Sequence, residues 1–276
     1  MVYIVLIVLG LAFGSFVNAL VWRVHELESS KKRTTKQKRE LSMLHGRSMC
    51  PHCKHPLAWY DLLPVVSWLS LGGKCRYCHK PIPDSPVVEA ALAGIFILSY
   101  AYWPLTFNTR GWYDFIIWLA ISVGLMALLI YDLRWMLLPN KIVYPLFYLA
   151  ITAAIVDVLA FHAGAHFILD VLYGFLAGGG LFWVLFQISG GKWIGGGDVR
   201  LGALLGIVVG SLSGSLLVIF LASLLGSVVA IPMLIARQAK TNTRIPFGPF
   251  LIIATIIVKL FGATLISWYR RKFLII

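Results

Sequence analysis

Charge is scarce in this 276-residue chain: Asp, Glu, Lys and Arg make up 13% of it, against 59% hydrophobic residues. That balance excludes an ordinary soluble domain and fits a polytopic membrane protein. Acids are scarcer still, at 11, so each can be weighed on its own, while 24 basic residues leave a formal charge of +13. No Lys or Arg precedes the first apolar run, and no clear small-residue cleavage site follows it. Both absences argue against a cleaved secretory signal, so Val2–Trp22 reads as a retained first transmembrane helix. The basic run Lys31-Lys32-Arg33, Lys36 and Lys38-Arg39 has no interleaved aromatics, so it reads as a lipid-facing loop segment and no nucleic-acid partner is expected. With only four cysteines, in two close pairs, the thiols read as one site.

What is present is a series of apolar stretches. The segment 23–85 is the sizeable hydrophilic exception; over 23–84 it carries 12 basic and five acidic residues. By the positive-inside tendency this loop is cytoplasmic. Further spans are expected near 86–104, 112–131, 142–161, 167–188, 199–213, 215–236 and 248–269. The fold is therefore read as all-α and polytopic, with about eight transmembrane helices. Its expected parts are residues 1–22 as the first helix, 23–85 as the loop, and 86–276 as a seven-helix membrane domain. Alternating sides puts loops 132–141, 189–198 and 237–247 in the cytoplasm. Arg134, Lys141, Lys192, Arg200, Arg237, Lys240 and Arg244 agree with that map, and the terminal Arg270-Arg271-Lys272 runs against it.

Two carboxylates fall on that one side: Asp132 at the end of the third span, and Asp198 at the start of the sixth, after Gly195-Gly196-Gly197. Ionisable groups at a bilayer edge are costly and point to function. Two carboxylates sharing a site hold one proton between them. The charged one can deprotonate water while the protonated one protonates a scissile amide, and the proton belongs to the pair. Glycines beside the acid allow unusual backbone angles and close approach of an extended peptide. The plainer reading of the same stretch is a flexible loop with a helix-capping Asp198. Asp198, Gly202, Gly206, Gly210 and Gly214 recur every four residues, a small-residue face expected to pack on the third helix beside Asp132. Glu89, just inside the second span, is a candidate for positioning the loop. Asp157 and Asp170 read as interfacial.

Cys50-Pro51-His52-Cys53 and Cys75-Arg76-Tyr77-Cys78 are 21 residues apart. Two such knuckles offer four thiolates to one structural Zn²⁺ in a closed site. A redox or disulfide role, an iron–sulfur centre, or no metal remain the alternatives. Between them, residues 59–69 are too apolar for a solvated linker and too short to span, so they are expected at the membrane surface.

Taken together, Gly14-Ser15-Phe16-Val17-Asn18, the two knuckles, Tyr60-Asp61 with Pro64-Val65-Val66-Ser67-Trp68, Gly73-Lys74-Cys75, Asp132 with Leu138-Pro139-Asn140, Gly195–Asp198 and Pro246-Phe247-Gly248-Pro249-Phe250 closely resemble the type IV prepilin peptidases, membrane aspartic proteases of the Gly-x-Gly-Asp class. The resemblance implies cleavage of the leader from prepilins or pseudopilins at the cytoplasmic face of the bacterial inner membrane, with Asp132 and Asp198 as the catalytic pair. From their own positions, Gly195, Gly197, Arg200 and Glu89 are read as residues that bind substrate or position loops, and Cys50, Cys53, Cys75 and Cys78 as ligands of structural zinc. The resemblance also implies N-methylation of the new N-terminus from S-adenosylmethionine, although no Rossmann-like glycine fingerprint is present. Arg200 stands where the family usually has lysine. The alternative function is a proton-coupled transporter with a zinc-stabilised regulatory loop; its acids would sit nearer the midplane, in related repeats, and no convincing repeat is found.

Overall fold

The structure is a computed structural model describing residues 1–29, 34, 41–42, 46–82, 86–236 and 245–273. The basic run at 31–39 lies outside the described residues except for Thr34 and carries no further argument. Nine α-helices are described: α1 (Val2–Ser29), α2 (Val66–Ser70), α3 (Pro86–Ala101), α4 (Thr109–Trp135), α5 (Asn140–Leu159), α6 (Ala165–Ser189), α7 (Gly196–Val209), α8 (Leu212–Ile235) and α9 (Gly248–Phe273). Six of them, α1, α4, α5, α6, α8 and α9, are long and apolar enough to cross a membrane. The apolar α3 has 16 residues and α7 has 14, shorter than the usual span. No strand is found among the described residues. The all-α polytopic expectation holds. The first helix is longer than its apolar run, continuing through Arg23 to Ser29, because the polar residues beyond Trp22 still favour helix once it has started.

The chain divides into two compact units, Met1–Ala101 and Tyr102–Ile276. In the first, α1 and α3 pack antiparallel. Gly10 lies against the Ala93 backbone and Gly14 against that of Glu89, with no space for a Cβ at either contact. Val17, Val21 and Val24 continue the buried stripe of α1, and Leu92 and Phe96 complete that of α3. Arg23 reaches out of α1 to donate to the carbonyls of Ser42 and Gly46.

In the second unit α7 is the central helix. Leu201 through Gly206 are all buried, as is Val208, the pattern of a helix packed on every side. Its small residues face α6, not α4 as their spacing led us to expect. A Cβ on Gly202 would lie 2.5 Å from the Gly178 carbonyl oxygen and 2.5 Å from Phe182, and Gly206 abuts the Gly174 carbonyl. The stripe is also shorter than its four-residue period implied: Gly210 is the left-handed cap that ends α7, and Gly214 belongs to α8. A π-helical turn at Leu176–Gly180 interrupts α6 where it meets α7.

Asp157 is not the solvated interfacial acid expected. It is buried, and the Arg110 guanidinium donates to it at 2.9 Å, tying α4 to α5. Asp114 lies 3.9 Å from the same guanidinium. Part-buried Lys259 of α9 donates to the Val208 carbonyl at the end of α7, so charges near one end of this unit are held by partners on neighbouring helices.

Candidate active site

Asp132 is in the last turn of α4. The helix ends at Met136, a non-glycine residue in the left-handed region (φ 53°), whose N–H donates to the Asp132 carbonyl at 2.8 Å. Pro139 then starts α5, since its fixed φ suits a helix entry and its missing N–H is not needed there. This sharp reversal keeps Asp132 buried, at 5% exposure, instead of on a loop. Its carboxylate accepts from the Gly248 backbone N–H at the start of α9. Gly248 comes so close that a Cβ there would sit 2.5 Å from Asp132 Oδ2.

Asp198 is in the first turn of α7, where Gly195 is the N-cap residue. The carboxylate reaches back to accept from the Gly195 N–H at 3.3 Å, which satisfies one of the donors a helix start leaves open. The three glycines adopt ordinary conformations: Gly195 is extended (φ −77°), and helix begins at Gly196. In this loop the left-handed glycines are Gly190 and Gly191, at the end of α6. What Gly197 provides is proximity, since a Cβ there would meet Leu138 at 3.3 Å.

The α4–α5 turn and the α6–α7 loop thus close on each other. Arg200 fastens them: its Nε donates to the Gly196 carbonyl at 3.1 Å, and its Nη1 donates to the Asn140 side chain. Asp132 and Asp198 come within electrostatic reach of one another. Their settings are inequivalent: Asp132 lies at the negative end of one helix dipole and Asp198 at the positive end of another. Around them Met136, Leu137 and Trp193 are exposed apolar side chains.

Sequence reasoning passed over the Gly248 amide as a partner of Asp132, and Asn140 as a partner of Arg200. Both stand in stretches matched to the prepilin peptidases, Pro246–Phe250 and Leu138–Asn140, so a signal was present without a role attached to it.

The N-terminal unit carries the cysteines. The two knuckles are built alike: Cys50 N–H donates to His55 O at 3.0 Å and Cys75 N–H to Lys80 O at 2.9 Å. Lys54 and His79 take matching left-handed conformations, and Met49–Pro56 and Lys74–Pro81 form matching bridges. All four Sγ atoms lie within 4.8 Å of one another, an arrangement that could hold a metal ion. Burial pushes the Cys75 thiol up, but backbone hydrogen bonds from Cys78 and Tyr77 and thiol contacts to Cys50 and Cys78 outweigh it and bring it to about 7. Asp61 braces the second knuckle by accepting from Arg76 at 2.8 Å. Glu89 accepts from the N–H of Val65 at 2.6 Å, where Val65 stands in an unusual conformation (φ 59°) before α2. Trp59, Val66 and Leu69 in this segment are exposed.

A polytopic helical membrane protein with two facing acids and a four-thiolate loop is the class that these features define. Two family profiles match it: the bacterial peptidase A24 N-terminal domain over residues 8–103, and the type IV leader peptidase family over residues 119–231. The chain is similar to proteins named prepilin leader peptidase/N-methyltransferase. That of Pseudomonas aeruginosa is 32% identical, over 96% of this chain and 92% of its own. That of Stutzerimonas stutzeri is 30% identical over the same shares, and that of Vibrio cholerae 31% over 93% and 96%. The chain belongs to the type IV leader peptidase family. No solved structure matches it.

Proposed function

We propose that this chain cleaves the leader from type IV prepilins or pseudopilins by a two-aspartate mechanism, at the cytoplasmic face of the bacterial inner membrane. The observation that carries this is the pairing of Asp132 and Asp198 across two helix ends braced by Arg200. Water held between the two carboxylates loses a proton to the ionised one and attacks the scissile carbonyl. The protonated partner then gives its proton to the leaving nitrogen. Asp132 is aimed by the Gly248 amide, and Asp198 by Gly195. The Gly196 N–H, at the exposed start of α7, is available to an extended substrate, and Met136, Leu137 and Trp193 offer apolar contact to its membrane-embedded segment. The excess of basic residues in loops 23–84 and 132–141 supports the cytoplasmic assignment. Family membership sets aside the transporter reading.

The four cysteines hold structural Zn²⁺ in this reading. Zn–S bonds of ~2.3 Å in a tetrahedron put sulfurs about 3.8 Å apart, and Cys50 Sγ and Cys78 Sγ are 3.9 Å apart. With four thiolates the site is closed and shapes the loop. By analogy with the names of its relatives, the chain also methylates the new N-terminal amine, with S-adenosylmethionine as donor.

The test is to reconstitute the protein with a prepilin and follow leader removal, with Asp132→Asn and Asp198→Asn alongside. Each variant is expected to lose activity by ~10²–10⁴-fold or more. Full processing by either would refute the paired mechanism.

A further inference from the structure

The helices that carry the two acids are joined a second time, well away from them. α7 has 14 residues, so at ~1.5 Å per residue it advances about 21 Å, short of a ~30 Å hydrocarbon core. The Val208 carbonyl is among those its end leaves without a helical partner. Lys259 of α9 donates to it at 3.2 Å, a cation at the negative end of the α7 dipole. Asp114 of α4 and Asp157 of α5 attract the same ammonium, and Arg110 of α4 pairs with both acids. All four charged side chains line one cavity of about 210 Å³, polar and roomy enough for water to solvate them. Each helix in this cluster also has a group in the candidate active site: Asp132 on α4, Asn140 on α5, Asp198 and Arg200 on α7, and the Gly248 amide on α9.

We propose that Lys259 is a positioning residue for leader cleavage: it fixes how α7 lies along α9, and so the separation of Asp132 and Asp198. The proposal rests on the two-aspartate reading above. Val208 stands ~15 Å of helix rise from Asp198, and Lys259 ~16 Å from Gly248, whose amide aims Asp132. The two helices are thus pinned at two levels. Between those levels their contact is apolar: Leu201 lies against Gly248, and Leu251 shares a small void with Leu205. Apolar contact is non-directional, whereas a charge-assisted hydrogen bond has a set length and direction. Without that bond α7 is free to shift along α9, and a ~1 Å misplacement of reacting groups costs about 10²-fold in rate. Lys259 touches no reacting atom and acts through the two helices.

The test measures kcat, KM and the pH dependence of kcat for leader cleavage by the full-length protein in lipid nanodiscs, with unfolding temperatures alongside. Lys259→Met keeps the length of the side chain and removes its donor and charge. The kcat is expected to fall at least tenfold with KM within twofold of wild type, since the substrate-facing loops are untouched. The bell-shaped pH profile should narrow, because two carboxylates sharing one proton titrate closer together once they are moved apart. Lys259→Arg keeps a cationic donor at the Val208 carbonyl and should restore both the profile and a kcat within threefold of wild type. Lys259→Gln, polar but one bond shorter, is the second variant and should give the same narrowing if the first does not fold. Partial unfolding lowers kcat without changing the width of the profile, so a profile of unchanged width overturns the positioning role. A profile displaced bodily along the pH axis overturns it too, since that marks only the loss of a distant charge. Full cleavage by Asp132→Asn or Asp198→Asn overturns the two-aspartate reading and this proposal with it; inactive aspartate variants beside a Lys259→Met protein of wild-type kcat and profile overturn the positioning role alone.

Discussion

Replacing Gly248 with alanine should separate catalysis from stability. The new Cβ would stand 2.5 Å from Asp132 Oδ2 and 3.3 Å from its Cγ, with Leu201 at 3.4 Å on another side. An ordinary carbon–oxygen contact needs more than half an ångström beyond that, on the order of the displacement that costs ~10²-fold in rate when a reacting group is misplaced. Asp132 is buried, so its carboxylate can retreat only by lengthening the bond from the Gly248 N–H, and a hydrogen bond to a charged group is worth ~1.5–3 kcal/mol. These two routes describe one displacement and are not summed; either gives a fall in cleavage rate of about 10–100-fold. Fold stability moves much less, because alanine in a helix gains ~0.5–1 kcal/mol over glycine and offsets part of the strain. The assay is single-turnover leader cleavage in lipid nanodiscs, paired with a thermal melt. A cleavage rate within twofold of wild type would show that Asp132 is not held by this contact. Gly94→Ala is the control, since nothing lies within 4 Å of its added Cβ; activity should be unchanged.

Gly202→Leu drives a side chain into the Gly178 carbonyl and Phe182. It is expected to lower both the unfolding temperature and leader cleavage; unchanged values in both would refute the close α6–α7 packing. Arg200→Lys keeps the charge but cannot span Gly196 and Asn140 with a planar fork. A loss of a few fold in cleavage is expected, and Asn140→Ala should reproduce it. Cys50→Ser and Cys75→Ser should each abolish stoichiometric zinc in the purified protein by elemental analysis, since binding at such sites is folding energy for the loop. Glu89→Ala leaves the Val65 N–H without its acceptor. Faster amide exchange is expected across residues 64–70, with Glu89→Gln restoring much of the protection.

The legible part of the sequence was what depends on local pattern. Apolar runs located the helices because bilayer thickness and helix rise fix their length. The thiol spacing located the knuckles because four thiols that converge on one point need two close pairs in the chain. Asp132 and Asp198 were brought to one side by counting crossings. What local pattern could not supply was the partner of each face. Glycines every four residues announced a close contact, but α6 and α4 were equally available as neighbours, and the π-helical turn that prepares α6 leaves no periodic mark. Asp157 looked like an interfacial acid because its partner Arg110 is 47 residues away. The Gly248 amide escaped notice because a backbone donor carries no residue identity.

The π-helical turn in α6 acts as a phase correction. In a regular α-helix, positions four apart advance by about 40° more than a full turn, so Gly174, Gly178 and Phe182 would spiral away from α7. The wider turn at Leu176–Gly180 cancels much of that drift, so all three meet the same two glycines of α7. The extra residue also sets the angle at which everything downstream leaves the helix. Deleting Gly180, whose added Cβ would touch nothing, would restore an unbroken helix yet turn Phe182 through Trp193 by about 100° around its axis. A change in the middle of the membrane would thereby rotate the loop that delivers Asp198.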